Sequence, residues 1–380
     1  MEQTNTQPLA ASLGDLLDTV TPSEFAGAVE QAVLTLDGVG EVVIWLVDFG
    51  FSAFIDLAGR REDIAVEGTM AGRALLSGTG FSHGAHSYLP IGRRGQVIGV
   101  LDVESDSVSM VEALQPVATV VANALHASRG HSDVVDRTRG ANALGLAATM
   151  QYQTLPYPTY AEDGVEVAGT IEPAYDIAGD AFDYAVNPEG THVAIFDAVG
   201  HGLRSTVLTS LAIGSYRHQR RRGSSLAEAA IAIDRVVAAN SNHGEFVTGL
   251  LLAIRTHQRV VEVWNGGHPS PLLVRDRSAQ VIDTEPALLP FGLGPEDAPP
   301  VVHQLQPADQ LFLFTDGVVQ AKNQDSQLWG SEALVEMVAG RADETMSMFQ
   351  ICRQVLDAVR RFVAAPLVDD ATMVGVRWIG

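Results

Sequence analysis

The chain has 380 residues, 46% hydrophobic and 18% charged, a length that calls for two domains and enough apolar material for a sizeable core. Its 24 basic and 46 acidic residues leave a net charge of −22, which repels nucleic acid backbones and anionic membranes and excludes both as expected partners. The single cysteine, Cys352, excludes an internal disulfide framework and a thiolate metal site. A polar Met1–Pro8 and the lack of any run of 18 apolar residues predict neither signal peptide nor membrane span, and hence a cytoplasmic protein.

Residues 1–20 open polar and turn amphipathic, with Leu9, Leu13, Leu16, Leu17 and Val20 at helical spacing, and form an N-terminal arm. Thr21-Pro22-Ser23-Glu24 reads as a helix start. Phe25, Val29, Val33, Leu34 and Leu36 then share one face of 23–36. A strand-like block, Glu41–Val47, is followed by a hairpin, Ser87–Ile91 and Gln96–Val103 around Arg93-Arg94-Gly95. An apolar helix over 110–127 closes an α+β module spanning 21–128. His83 and His86 lie in a Gly/Ser-rich stretch and read as loop residues on the surface, with a metal or ligand role as the alternative. Across 129–156, Val134, Ala141, Ala148 and Leu155 fall seven apart, with Leu144 between them. Gly130, Gly140 and Gly145 weaken any helix there, which predicts a short helical linker ending at Leu155-Pro156.

From 157 to 380, strands are expected at Val165–Ile171, His192–Asp197, Phe246–Arg255, Val260–Trp264, Pro271–Val274, Leu311–Thr315 and Ala371–Ile379. Helices are expected near 202–221, 225–240, 331–339 and 345–363. Runs of strands with helices in separate blocks predict a layered α+β sandwich. Four acidic landmarks punctuate it. Asp197 closes the apolar run His192–Phe196 before Val199-Gly200-His201-Gly202, and Asp316 closes Leu311–Thr315 before Gly317. Asp180 follows Gly179, and Asp369-Asp370 precedes the strand at Ala371. Singly, such aspartates cap turns. Four in one domain make an oxygen-only donor set for hard divalent cations. The turn glycines let the Ala198 carbonyl approach a cation. His201 and His268, each next to glycine, read as loop-structuring residues together with Gly200 and Gly202, with general acid catalysis as the alternative. Arg217, Arg220, Arg221 and Arg222 with His218 form a basic cluster that complements a helix C-terminus or offsets the acidic field locally for an anionic partner.

Two resemblances add to this reading. Gly72-Arg73-Ala74-Leu75, Tyr88-Leu89-Pro90-Ile91 and Ile98-Gly99-Val100-Leu101-Asp102-Val103 make the first module similar to a GAF domain, with a PAS-like or other small α+β fold as the rival. The resemblance implies a small-molecule ligand or a homodimer. The remainder resembles the PPM-type metal-dependent serine/threonine phosphatases, in the SpoIIE-like branch. The motifs are Glu172–Tyr184, Asp197–Gly202, Asn265-Gly266-Gly267-His268-Pro269-Ser270-Pro271-Leu272, Pro290–Gly294, Thr315–Val318 and Asp369–Thr372. Gly266 and Ser270 depart from the usual alanine and proline. The resemblance implies an αββα sandwich over 157–380. It implies two Mn²⁺ or Mg²⁺ ions bridged by Asp197, with the Ala198 carbonyl holding one. Asp316 and Asp369 bind one ion, and Asp180 serves the other directly or through water. Asp183 and Asp370 stand behind these ligands or hold a third metal. A bridging hydroxide then attacks phosphorus. The expected substrate is phosphoserine or phosphothreonine on a partner such as an anti-sigma-factor antagonist, under control of the N-terminal module. A non-catalytic, partner-binding phosphatase-like protein and a small-molecule phosphoester hydrolase are the alternatives. The arginine that contacts substrate phosphate in eukaryotic relatives has no identifiable counterpart, and 318–345 is the expected specificity region.

Overall fold

The computed structural model describes residues 6–106, 110–140, 145–162, 164–172, 179–200, 202–284, 288–294, 297–342 and 345–380. It divides into two units, Met1–Ala143 and Leu144–Gly380.

The first unit runs α1 (Gln7–Leu17), α2 (Phe25–Val33), β1 (Val39–Val47), β2 (Ala53–Asp56), β3 (Ile64–Ala65), α3 (Met70–Ser77), β4 (Phe81–His83), β5 (His86–Arg93), β6 (Gln96–Ser105), α4 (Val111–Ser128) and α5 (Val134–Arg139). Its antiparallel sheet has the order β3-β2-β1-β6-β5-β4. The β5–β6 hairpin turns at Arg94 and Gly95, with φ of 51° and 78°. Two successive left-handed residues match the right-handed twist of the flanking strands. α4 packs on β5 and α2 on β1. His83 and His86 are not loop residues. They face each other across the β4–β5 pairing, and the His86 ring bonds Asp102 (2.8 Å) and stacks on Tyr88.

The second unit runs α6 (Leu146–Thr154), β7 (Thr159–Glu162), β8 (Val165–Glu172), β9 (Asp180–Asn187), β10 (Gly190–Ala198), α7 (Leu203–Arg221), α8 (Leu226–Asn240), β11 (Val247–Arg255), β12 (Val260–Gly266), β13 (Leu272–Arg275), β14 (Ser278–Val281), β15 (Val301–Gln304), β16 (Gln310–Phe314), α9 (Asp316–Val319), α10 (Gly330–Arg341), α11 (Met348–Val363) and β17 (Ala371–Trp378). Two antiparallel sheets, β15-β12-β11-β10-β9 and β14-β13-β16-β17-β8-β7, stack face to face. Alternation sorts their side chains. Val193, Ile195, Phe182 and Tyr184 join Leu311, Leu313, Val374 and Val376 between the sheets. Ala194, Phe196 and Ala181 point outward onto Leu208, Ile213 and Ile233 of α7 and α8. α11 covers the other sheet at β8 and β17, giving four layers. Capping boxes start α8 (Ser225, Glu228) and α11 (Ser347, Gln350), satisfying amide groups that would otherwise lack partners. β9 was not expected as a strand. Its Asp180-Ala181-Phe182-Asp183-Tyr184 alternates, but two aspartates in five residues mask the pattern.

Candidate metal centre

Strand pairing brings the aspartates to one end of the sandwich. β9 begins where β10 ends, and Asp180 sits directly opposite Asp197 in their register. In the facing sheet β16 ends beside the start of β17, so Asp316, heading α9, and Asp369-Asp370, preceding β17, arrive at the same end. Asp180 shares the inward side of β9 with Phe182 and Tyr184, and Asp197 shares that of β10 with Ile195 and Val193. The inter-sheet core thus gives way to carboxylates. Position 317 must be glycine, because a Cβ there would lie 2.0 Å from the Asp370 carbonyl oxygen.

The two sheets also exchange hydrogen bonds here. The hydroxyls of Thr315 (2.7 Å) and Thr372 (2.5 Å) donate to Oδ2 of Asp180. The Gly179 amide (3.1 Å) and Gln151 Nε2 (3.3 Å) donate to Oδ2 of Asp370, and the same Gln151 nitrogen donates to the Asp180 carbonyl (2.6 Å). Asp370 is buried, whereas Asp369 is exposed and accepts from the Asp370 amide. Burial, then the charges of Asp197 and Asp370, push Asp180 well above the usual carboxylate range. Burial, then Asp316, Asp369 and Asp370, push Asp197 up to about 7. Burial and Asp369 raise Asp316. These five carboxylates feel one another's charge, yet among the described residues no group of three or more acidic, histidine or cysteine side chains closes into a metal-holding set.

The donor chemistry nevertheless fits a hard divalent cation. All the clustered side chains offer oxygen. A Cβ added at Gly179 would meet the Ala198 carbonyl oxygen at 3.0 Å, the Gly200 carbonyl oxygen at 3.5 Å and Oδ1 of Asp197 at 3.8 Å. Glycine therefore leaves open a cradle walled by oxygens.

Two expected residues lie elsewhere or outside the described residues. Asp183 is not in the cluster. It is three residues from Asp180, so strand alternation turns it to the helix-facing side. There it accepts from Arg217 (3.0 and 2.7 Å) and Arg220 (2.6 Å). These two arginines of the basic cluster are therefore internal counter-ions. His201 and residues 173–178 of the first motif lie outside the described residues. Gly200 and Gly202, with φ of 95° and 81°, occupy the left-handed region that glycine tolerates. Sequence reading missed Thr315, Thr372 and Gln151. The one signal was Gln151 in the heptad seam, which shares its polar character there only with Arg137.

His268 is buried and knits its loop together. Its ring bonds the Thr248 hydroxyl (2.8 Å), its amide donates to Asn265 Oδ1 (2.8 Å), and its carbonyl accepts from Asn265 Nδ2 (2.9 Å). Burial depresses its pKa to about 3, and burial with Arg255 and Arg220 takes His192 to about 4. In each the folded pKa lies below the unfolded one, so the unfolded chain takes up the proton first. The stabilisation is complete above about pH 6.5 and falls by about 1.4 kcal/mol per pH unit per histidine as pH drops toward 4. Urea melts from pH 6.5 to 4.5 on His192→Gln should have a visibly shallower stability slope than wild type; coincident slopes would refute this account.

Two sheets packed between helices, with carboxylates gathered at one end, give the second unit a PPM-type (PP2C-like) fold. The RsbU and RsbW domains of Rv1364c from Mycobacterium tuberculosis share the fold, with a TM-score of 0.51 at 24% identity, over 57% of this chain and 61% of that one. The SiaA-PP2C domain of Pseudomonas aeruginosa does so with a TM-score of 0.50 at 19% identity, over 67% of this chain and 94% of that one. Residues 187–379, more than half of the chain, match the family Stage II sporulation protein E (SpoIIE). The chain belongs to the SpoIIE family, as a protein serine/threonine phosphatase. The phosphoserine phosphatase RsbU of Bacillus subtilis (strain 168) is 20% identical over 236 residues, 61% of this chain and 69% of that protein. Among the described residues no helix is long and apolar enough to cross a membrane.

Proposed function

We propose that the chain hydrolyses phosphoserine or phosphothreonine on a partner protein of the anti-sigma-factor antagonist type, using two Mn²⁺ or Mg²⁺ ions. The observation that carries this reading is the convergence of Asp180 and Asp197 from one sheet with Asp316, Asp369 and Asp370 from the other. Asp197, Asp316, Asp369 and the Ala198 carbonyl would hold the cations. When bound, such a pair supplies a water nucleophile ionised at neutral pH and neutralises phosphoryl charge. Asp180, fixed by Thr315 and Thr372, orients Asp197 across the strand pair, and Asp370 fixes the Gly179 turn. Cys352 is buried and its thiol is pushed far up by burial, so a thiolate nucleophile is not part of this reading.

The N-terminal unit is read as a GAF-like sensory module, supported by its six-stranded antiparallel sheet flanked by helices. In the second unit, the helix that follows the inter-unit boundary is α6. Gln151 lies on that helix and bonds both Asp180 and Asp370, so a shift of α6 moves two carboxylates at once. The test is full-length protein with Mn²⁺ against a phosphoserine peptide and p-nitrophenyl phosphate. Turnover of both is expected, reduced about tenfold in Gln151→Ala. Wild type that is folded, binds Mn²⁺ and turns over neither substrate would sink the catalytic reading. An unaltered Gln151→Ala rate would sink the coupling through α6.

A further inference from the structure

A cavity of about 240 Å³ opens beside the carboxylate cluster, lined by Asp316 and Asp369, by Lys322, and by Val363, Leu367 and Val368. That is room for about eight waters at the liquid volume of ~30 Å³ each, or for two or three side chains. Its apolar wall is open to solvent, with Val368 88% exposed. Lys322 is the only lysine in the chain. The turn that carries it is folded back on itself: Lys322 pairs with Leu328, and the Trp329 amide donates to the Ala321 carbonyl at 2.9 Å. Three arginines of the same unit pair within it, Arg204 with Glu245, Arg275 with Asp309 and Arg377 with Glu166. Lys322 is exposed, and among the described residues no carboxylate pairs with its ammonium.

We propose that this cavity receives the substrate segment next to the phosphorylated residue, and that Lys322 selects for an acidic side chain in that segment. The inference rests on the phosphatase reading above. The phosphate occupies the Asp316–Asp369 end. The neighbouring residues then fill the remaining space, an apolar side chain against Val363, Leu367 and Val368 and a carboxylate at Lys322. A protein of net charge −22 repels an acidic peptide at long range. An unpaired cation inside the docking cavity reverses that repulsion locally. Lys322 is thus a specificity residue.

The test compares two phosphoserine peptides, one with Asp and Glu flanking the phosphoserine and one with Asn and Gln, on full-length enzyme with Mn²⁺. Each kcat/KM is normalised to the same variant's turnover of p-nitrophenyl phosphate. Wild type should prefer the acidic peptide by about three- to fivefold at low salt, the size of one partly exposed ion pair, and less at high salt. Lys322→Gln should abolish the preference, Lys322→Arg should keep it, and Lys322→Glu should invert it. No preference in wild type would overturn the proposal while leaving the phosphatase reading intact. An equal loss on both peptides and on p-nitrophenyl phosphate in Lys322→Gln would overturn it too, since the lysine would then be meeting the phosphate itself. Wild type inactive on all three substrates would overturn both readings.

Discussion

Asp197→Asn should abolish phosphatase activity, by at least about a hundredfold, while raising the melting temperature of the metal-free protein. Both effects have one origin. Asp197 stands opposite Asp180 and within reach of the charges of Asp316, Asp369 and Asp370, and its pKa rises to about 7. A carboxylate whose folded pKa lies above its unfolded value stabilises the fold at low pH and loses that stabilisation as pH rises from about 4 to 7. At pH 8 the wild-type protein therefore carries a penalty of about 2–4 kcal/mol, which asparagine removes. For a unit of this size that is worth roughly 4–16 °C in Tm. Divalent cations should reverse the order. Wild type should gain about 2.7 kcal/mol at Mn²⁺ one hundred times Kd, and Asp197→Asn much less. Calorimetry at pH 5 and pH 8, with Mn²⁺ and with chelator, reads all of this. A variant less stable than wild type in chelator at pH 8 would show that Asp197 has an ordinary structural role.

Arg220→Ala should cost about 3 kcal/mol and lower Tm by roughly 6–12 °C, with the Mn²⁺ requirement retained. The Arg220 side chain is 9% exposed and that of Asp183 is 1% exposed, so deleting the arginine leaves a buried carboxylate with only Arg217 to answer it. Arg217 is more open to solvent and compensates in part. Asp183→Asn should likewise lower stability without altering the metal titration. A shifted Mn²⁺ affinity in Asp183→Asn, with unchanged Tm, would restore Asp183 to the metal centre.

The contrast between Asp180 and Asp183 shows what the sequence made legible. Asp197 and Asp316 stand out because a dense apolar run, an acid and a glycine turn coincide, and each of those signals is local. Family position alone puts Asp183 with Asp180, because the strand that separates them is hidden: once β9 is known, residues three apart in it point to opposite faces. The two arginines that neutralise it read as a helix end because their partner lies on β9, which the two aspartates disguised. Gln151, Thr315 and Thr372 left less trace. A hydroxyl or amide that satisfies a carboxylate across two sheets has no periodicity of its own, and only the three-dimensional register reveals it. The His83 and His86 pairing was hidden for a related reason, since Gly84-Ala85 between them reads as a loop while forming the turn of a short hairpin.

The carboxylates come from both sheets, and this has a mechanical consequence. Asp180 and Asp197 belong to one sheet, and Asp316, Asp369 and Asp370 are fastened to the other. Along most of the sandwich the sheets adhere through apolar contacts, but at this end they meet through like charges bridged by two threonine hydroxyls. A cation seated there is a rivet. Without it, this end should be where the sandwich frays first. Amide exchange at the start of β9 and of β17 should then slow sharply on adding Mn²⁺, while the far ends of the same strands stay unchanged.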